Sequence, residues 1–326
     1  MKKRVFSGIQ PTGILHIGNY LGAIKNWVSL LDGHECFFCI VDMHAITVPY
    51  EPAEMQARIF DAAVGYMACG VDPARCAIFV QSDVPGHAEL TWYFNTVIPV
   101  AYLERMTQYK DKSAHFRERI TMGLLDYPVL QAADILLYKA EVVPVGEDQS
   151  QHLELTRDVA RKFNRLYGET FPEPKTLLGK AARVAGLDGR AKMSKTLNNY
   201  IAITEAPEEI RKKLSLAVTD PARRRRTDPG TPEVCNIYAL HGFFSAPGDA
   251  ARVADECRRA GIGCIECKGL LAENIARELA PIRARCEELR KDPASVRRAL
   301  DEGAEKCRTI ARETIREVKR KMGLLR

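Results

Sequence analysis

The chain has 326 residues, 46% of them apolar, which supports a sizeable core and excludes a disordered protein. It lacks a long apolar run and an apolar N-terminal stretch, so we expect neither a transmembrane helix nor a signal peptide. A cytoplasmic protein of two domains follows as the expectation. The net charge of +6 arises entirely after residue 200, which fits either a polyanionic partner or a solvated helical surface.

Four short apolar runs in the first half predict buried strands, because they are β-branched or aromatic and bounded by turn residues. They are Arg4–Ser7, Cys36–Asp42, Ala77–Gln81 and Val142–Val145. Helical patterns such as Glu54–Cys69 lie between them. The alternation predicts an α/β fold with a doubly wound parallel sheet, in which ligands bind at the carboxyl ends of the strands.

Beyond about residue 200 the pattern becomes helical and charged. The predicted helices are Pro207–Val218, Asp249–Ala260, Leu270–Leu289 and Ala294–Met322. We therefore predict a catalytic domain over residues 1–200 and a helical domain over 201–326. The segment 186–199, rich in Lys, Asp and Gly, joins them, and the last helices could pack back on the first domain.

The first predicted strand runs into a glycine-rich turn over residues 7–22, which contains the sequence His-Ile-Gly-Asn. The glycines let the backbone approach a ligand closely, and the following helix start offers N–H groups suited to phosphate. His16 and Asn19 project from one face because they are three residues apart. Walker A and dinucleotide-binding glycine patterns are lacking. Taken alone, an ordinary capped helix start explains this segment equally well.

A second polar segment reads Lys-Met-Ser-Lys-Thr over residues 192–196. Mobile ammonium groups suit a charge that grows during a reaction, such as a leaving pyrophosphate, although a solvated loop explains this segment alone equally well. Together the two segments resemble the two signatures of class I aminoacyl-tRNA synthetases. Asn19 stands where many members have a second His, and Thr196 where many have Ser.

A third segment predicts a helix from Asp126, as its cap, to Tyr138, with Pro128 in the first turn. Tyr127, Gln131, Asp134 and Tyr138 share one face of this helix. A buried carboxylate without a partner is costly, which makes Asp134 a candidate binding residue. The alternative is a half-exposed helix with ordinary capping side chains.

This segment resembles the tryptophanyl branch of the class I synthetases. Further matches lie at residues 41–47, 104–113, 141–158 and 301–306, and the resemblance covers essentially the whole chain. It implies a Rossmann-like catalytic domain, a helical anticodon-binding domain and a homodimer. The implied activity is activation of L-tryptophan with ATP and Mg²⁺ to tryptophanyl-adenylate, followed by transfer to the 3′-terminal adenosine of tRNA(Trp). No insertion suggests an editing domain.

The resemblance also implies roles for individual residues. Those implied to contact ATP are Gln10, Pro11, Thr12, Gly18, Asn19, Gly146, Glu147, Asp148, Val184, Lys192, Met193, Ser194, Lys195 and Thr196. Those implied to shape the tryptophan pocket are Phe6, Gly8, Val41, His44, Tyr127, Gln131, Asp134, Val143, Val145 and Gln149. Catalytic roles fall on His16, Asn19, Lys112, Lys192 and Lys195. Asp134 would accept the indole N–H, and Gln131 replaces a Met of well-known members.

Four of the ten cysteines fall within 33 residues: Cys235, Cys257, Cys264 and Cys267. Three interpretations compete. Single buried thiols are common, zinc prefers two close Cys pairs, and a [4Fe–4S] cluster tolerates uneven spacing. A subset of tryptophanyl-tRNA synthetases has a similar pattern and holds such a cluster near the anticodon-binding region. This resemblance favours iron–sulfur, with zinc as the second choice.

The run Arg223–Arg226 predicts either a solvated loop or a contact to tRNA phosphates. Among whole-chain alternatives, a tyrosyl-tRNA synthetase shares both signatures, but the Asp134 helix and the segment 146–149 argue against it. A synthetase-like regulator that binds without charging would not need both signatures intact. Another ligase of this superfamily, without an RNA partner, would lack a basic helical domain.

Overall fold

The computed structural model describes residues 2–110, 120–146, 149–178, 184–195 and 197–325. The chain forms two compact units. Unit 1 comprises Met1–Gly13, Asn26–Gly179 and Asp292–Arg326, and unit 2 comprises Ile14–Lys25 and Lys180–Lys291. These units interleave along the chain, whereas the division predicted at residue 200 follows chain order. As a statement about domains, that division stays a prediction.

Unit 1 is built on a five-stranded parallel sheet in the order β3-β2-β1-β4-β5. The strands are β1 (Lys3–Ile9), β2 (His34–Ile40), β3 (Ala77–Val80), β4 (Val142–Val145) and β5 (Lys175–Leu178). The predicted parallel sheet is confirmed, but the sequence analysis missed β5, a four-residue edge strand that follows a Pro-rich segment. Asp42 was predicted within β2 and instead begins a helix.

Both units contain helices. They are α1 (Ile17–Asn19), α2 (Lys25–Leu30), α3 (Asp42–Ala45), α4 (Met55–Ala68), α5 (Gly86–Asn95), α6 (Val100–Glu104), α7 (Met122–Leu137), α8 (Ser150–Tyr167), α9 (Pro207–Leu216), α10 (Asn236–Phe244), α11 (Pro247–Arg258), α12 (Cys264–Lys291) and α13 (Pro293–Lys321). A π-helical turn, Tyr20–Ile24, separates α1 from α2. Across the described ranges, none of them combines the length and apolar character that a bilayer crossing requires.

The strand order of the sheet reverses next to β1. The chain adds β2 and β3 on one side of β1, and then β4 and β5 on the other. A crevice opens at such a switch point, outside the carboxyl ends of the two central strands. The carboxyl end of β1 carries Gly8 and that of β4 carries Val145, so both strands lead predicted site residues to this edge.

Helix α7 begins earlier than the sequence predicted. Thr121 caps it, since its side chain accepts a hydrogen bond from the backbone N–H of Leu124. Asp126 is therefore not the cap, and its carboxylate accepts a hydrogen bond from Asn95 instead. Pro128 lies inside the helix and not in its first turn. Most of the helix is buried, so the alternative of a half-exposed helix is wrong.

The last helix, α13, packs on the sheet of unit 1. Ala304, Cys307, Ala311 and Val318 belong to the same buried cluster as the strands and α7. Gly303 permits a direct approach to β3, since a Cβ at this position would lie 2.1 Å from the carbonyl oxygen of Ile78. This packing was a possibility raised by the sequence. It buries the thiol of Cys307 in the same cluster.

Unit 2 contains the His-Ile-Gly-Asn part of the glycine-rich turn, the lysine segment and the helices α9 to α12. The predicted helices after residue 200 are present with shifted ends, most clearly α12, which starts at Cys264 instead of Leu270. Apolar side chains such as Ile210, Leu214, Ile275 and Leu279 are buried within this unit. The C-terminal helical character expected from the sequence is therefore confirmed.

Candidate active site

Asp134 lies on α7 with 1% of its surface exposed, and its carboxylate contacts three side chains of unit 1. His44 Nε2 lies 2.8 Å from Oδ2, while Gln81 Nε2 donates to Oδ1 at 2.7 Å and His87 Nδ1 lies 2.6 Å from Oδ1. An ionised carboxylate only accepts hydrogen bonds, so both histidines present N–H groups to it. Three donors thus compensate a charge that would otherwise be costly to bury.

The carboxyl of Asp134 is ionised at neutral pH. Burial alone raises its pKa, but the interactions with His44 and then His87 outweigh burial and lower the pKa to about 2. A charged acceptor in a dry site forms stronger hydrogen bonds than a neutral one. This carboxylate is therefore suited to recognising an N–H group of a bound molecule.

The partners of Asp134 come from the carboxyl ends of two adjacent strands. His44 lies on α3, directly after β2, while Gln81 and His87 follow β3, in a 3₁₀ turn and at the start of α5. The sequence analysis named His44 but missed Gln81 and His87. The signal was the polar Gln-Ser-Asp that directly follows β3, since polar residues after a parallel strand lie at the ligand edge.

The other residues predicted to form the tryptophan pocket also lie in unit 1. Phe6 and Gly8 are in β1, Val41 follows β2, Val143 and Val145 are in β4, Tyr127 and Gln131 are on α7, and Gln149 precedes α8. The rings of Tyr127 and His44 meet edge to face at 6.3 Å. Gln131 Nε2 donates to Gln149 Oε1 at 3.5 Å, so this departure from the resembled family makes a polar contact within the predicted set.

In unit 2, His16 caps α1 and is nearly buried, with 8% exposed. Its backbone N–H donates to Asn19 Oδ1 at 3.1 Å, which ties the two predicted residues together. A Cβ on Gly18 would lie 2.9 Å from the His16 ring, so only glycine fits against it. His16 Nδ1 is buried, and no group in the described part of the chain forms a hydrogen bond with it.

The lysine segment lies close to His16. The backbone N–H of Ile17 donates to Ile201 O at 2.9 Å, and that of Ile203 donates to Leu15 O at 3.0 Å. Burial, and then the charges of Lys195 and Lys192, lower the pKa of His16 to about 4. Both synthetase-like signatures therefore share one electrostatic environment within unit 2, and His16 is neutral at pH 7.

Asn199 stabilises the conformation of the lysine segment, a role that was not predicted from the sequence. Ser194 N donates to Asn199 Oδ1 at 2.7 Å, and Asn199 Nδ2 donates to Asp188 Oδ2 at 3.0 Å. Met193 is buried, and its N–H donates to the carbonyl oxygen of Val184 at 3.1 Å. A backbone hydrogen bond thus joins two predicted ATP residues, Met193 and Val184. Lys192 directly precedes Met193 in the chain.

The remaining predicted ATP residues divide into two groups. Gln10, Pro11 and Thr12 follow β1, and the N–H of Thr12 donates to Gln10 O at 2.8 Å. Gly146 follows β4, and its carbonyl oxygen accepts the N–H of Gln149 at 3.0 Å. Lys112, Glu147, Asp148 and Thr196 lie outside the described residues.

The four clustered cysteines are free, partly buried thiols in unit 2. Burial, and then the charges of Cys235, Cys257 and Cys264, raise the pKa of Cys267 to about 12, so the four thiols interact electrostatically. Arg223 Nη1 donates to Cys257 Sγ at 3.4 Å. Within the described ranges, however, no group of three or more His, Cys, Asp or Glu side chains has the arrangement of a metal site.

Two arginines of the run Arg223–Arg226 form hydrogen bonds to the backbone. Arg223 donates to the carbonyl oxygens of Arg226 and Ile262, and Arg226 donates to those of Ala260 and Gly261. Both therefore stabilise the loop between Cys257 and Cys264. The side chains of Arg224 and Arg225 are exposed, and a contact to tRNA phosphates stays a prediction for these two.

Comparison with known proteins agrees with this arrangement. Residues 1–280 match the model of the tRNA synthetases class I (W and Y), and the chain belongs to this family. It is 54% identical to the tryptophan–tRNA ligase of Deinococcus radiodurans and 45% identical to that of Thermotoga maritima, with 99% of each chain covered. The tryptophanyl-tRNA synthetase of Campylobacter jejuni, solved with ADP and tryptophan, is similar with a TM-score of 0.88 at 37% identity, covering 98% of this chain and 100% of that one.

The lowered pKa of His16 predicts a specific dependence of stability on pH. Between about pH 6.5 and pH 4 the unfolded chain takes up a proton at His16 that the folded chain does not, so stability falls as pH falls. The contribution reaches ~1.4 kcal/mol per pH unit. We expect His16→Gln to show a flatter decline of Tm over this window, measured by calorimetry. Parallel declines in the two proteins would contradict the prediction.

Proposed function

We propose that the chain activates L-tryptophan with ATP, giving tryptophanyl-adenylate and pyrophosphate, and then transfers tryptophan to the 3′-terminal adenosine of tRNA(Trp). The ligase activity follows from identity of up to 54% over the full length to tryptophan–tRNA ligases. The observation that carries the choice of amino acid is the buried, ionised Asp134. It offers a charged acceptor to the indole N–H, which is absent from tyrosine.

Specificity for tryptophan would arise from this one buried polar contact. A site built to hydrogen-bond a substrate N–H rejects an analogue without it by about 10⁴–10⁵, because the polar groups of the site are then left unpaired. Asp134 meets that condition, since three donors hold its charge in a dry environment. The apolar strand residues Phe6 and Val143 would face the ring.

Activation requires no general base, because the carboxylate of tryptophan is ionised at pH 7 and attacks the α-phosphate directly. The protein therefore contributes mainly positioning and charge stabilisation, with Mg²⁺ on the phosphates. Support for the role of unit 2 is the neutral His16 with its buried Nδ1 beside Lys192 and Lys195. The two ammonium groups would stabilise the charge that develops on the leaving pyrophosphate.

Replacing Asp134 by Asn tests the choice of amino acid. The side chain keeps its volume and loses its charge, so we expect kcat/KM for tryptophan to fall by about 10- to 100-fold, as for loss of a hydrogen bond to a charged group. The KM for ATP should stay nearly unchanged. Pyrophosphate exchange measures both quantities. Asp158→Asn on α8, whose carboxylate contacts the exposed Arg161, is the matched control.

Equal losses for tryptophan and ATP in the Asp134 variant would show that the substitution damages the whole site. The carboxylate would then lose its place as the specificity group. An unchanged kcat/KM for tryptophan would contradict its role outright.

We also propose that Cys235, Cys257, Cys264 and Cys267 hold a [4Fe–4S] cluster, with zinc as the alternative. Support comes from the soft donor set, from four free thiols in one electrostatic neighbourhood and from the loop held by Arg223 and Arg226. The family resemblance places such a cluster near the anticodon-binding region. Its role would be structural or in tRNA contact.

Anaerobic purification tests the cluster. We expect absorbance near 400 nm with about four iron and four sulfide ions per chain, and loss of both in Cys264→Ser. Cys286→Ser, a buried cysteine outside the group, should keep them. A colourless protein with one zinc ion would favour zinc, and a metal-free protein would leave four ordinary thiols.

A homodimer with tRNA(Trp) as its macromolecular partner completes the proposal, in the cytoplasm where tRNA is charged. Support is the apolar surface of unit 1, where Trp92 and Met122 are 69% and 73% exposed and Ile46 and Ile120 about half exposed. A depression of about 400 Å³ is lined by Ile46 and Trp92 together. Such a surface is normally covered by a partner.

Sedimentation measures the oligomeric state directly. We expect a dimer for the wild type and a shift to monomer in Trp92→Glu, because a charge would then be buried in an apolar contact. Trp92→Phe should remain dimeric. A wild-type monomer at micromolar concentration would contradict the homodimer.

A further inference from the structure

A continuous line of buried polar groups runs away from Asp134 into the core of unit 1. His87 has none of its surface exposed, and its Nδ1 lies 2.6 Å from Asp134 Oδ1. Its Nε2 lies 2.7 Å from the hydroxyl of Tyr138, which is also fully buried. The Tyr138 hydroxyl in turn interacts with Cys307 on α13.

The charged end of this line fixes the direction of its first hydrogen bond. The carboxylate of Asp134 only accepts, so His87 Nδ1 carries the proton. On the other side of the ring, His87 Nε2 lies 2.7 Å from the hydroxyl of Tyr138, which can complete either hydrogen-bond direction. Burial raises the pKa of Tyr138 and of Cys307, so both keep their protons. Asp134 therefore sets which ring nitrogen of His87 faces it with a proton, and Tyr138 anchors the opposite side of the ring.

The two oxygens of Asp134 are used unequally. Oδ1 receives Gln81 Nε2 and His87 Nδ1, which fill its two lone-pair directions. Oδ2 receives His44 Nε2, so one lone-pair direction remains for a ligand N–H. The pair Gln81 and His87 therefore decides which oxygen is presented and how the carboxylate is rotated.

We propose that His87, anchored at Nε2 by Tyr138, is a positioning residue that fixes the carboxylate of Asp134 so that Oδ2 accepts the indole N–H of tryptophan. This inference rests on the proposed function and deepens it. His87 itself touches no substrate. Its contribution is to the discrimination between indole and rings without an N–H, and it acts through the rotation and ionisation of Asp134.

The test compares tryptophan with an analogue in which sulfur replaces the indole N–H. The discrimination ratio is kcat/KM for tryptophan divided by that for the analogue, measured by pyrophosphate exchange with the full-length protein. We expect His87→Gln to lower this ratio at least about tenfold, mainly through KM for tryptophan, with KM for ATP unchanged. His87→Asn should restore most of the ratio, because its amide nitrogen occupies the place of Nδ1, whereas that of Gln occupies the place of Nε2.

Tyr138→Phe removes the hydroxyl that anchors the His87 ring and should also lower the ratio. Tyr66→Phe is its matched control, since Tyr66 is equally buried and its hydroxyl shares its proton between the backbone carbonyl oxygens of Ile9 and Cys39. We expect the control to lose stability with an unchanged ratio. This pair separates positioning from the general cost of removing a buried hydroxyl.

Each outcome is decisive. Equal ratios for His87→Gln, His87→Asn and the wild type overturn the positioning role, as does a fall of equal size in both His87 variants with KM for ATP rising in parallel. A wild type that activates tryptophan without rejecting the sulfur analogue overturns it too. A wild type that does not activate tryptophan at all overturns the proposed function, and the positioning role falls with it.

Discussion

One constraint organises unit 1: an ionised carboxylate in an apolar core must be surrounded by donors. Asp134 is almost completely buried, and its charge survives because His44, Gln81 and His87 all converge on it. Removing one donor leaves a buried charge uncompensated, which destabilises the fold more than replacing the whole polar group by apolar side chains. The chain therefore commits three polar residues to one acceptor, as the proposed recognition role of Asp134 requires.

The parallel sheet makes this convergence possible. Residues that follow β2 and β3 lie at one edge because neighbouring parallel strands end there. Helix α7 carries Asp134, which contacts these residues. In unit 2, backbone hydrogen bonds place His16 close to the lysines. The segment 201–203 forms backbone hydrogen bonds with Leu15 and Ile17, so residues far apart in sequence share one electrostatic environment.

The sequence predicted the parallel sheet, the C-terminal helices and the family, because hydrophobic periodicity and the two signature segments are local patterns. It did not predict β5, which is four residues long, or the start of α7, where Thr121 competes with Asp126 as the cap. The partners of Asp134 were only partly found. Gln81 and His87 act through tertiary contacts over about fifty residues, and no spacing rule reveals which polar residue faces which carboxylate.

The measurement that tests the central claim most directly is pyrophosphate exchange with each standard amino acid in turn. The proposed hydrogen bond from the indole N–H to an ionised Asp134 predicts rapid exchange with tryptophan and negligible exchange with tyrosine or phenylalanine. Comparable exchange with tyrosine, or none with tryptophan, would contradict the assignment of Asp134 as the group that selects the substrate.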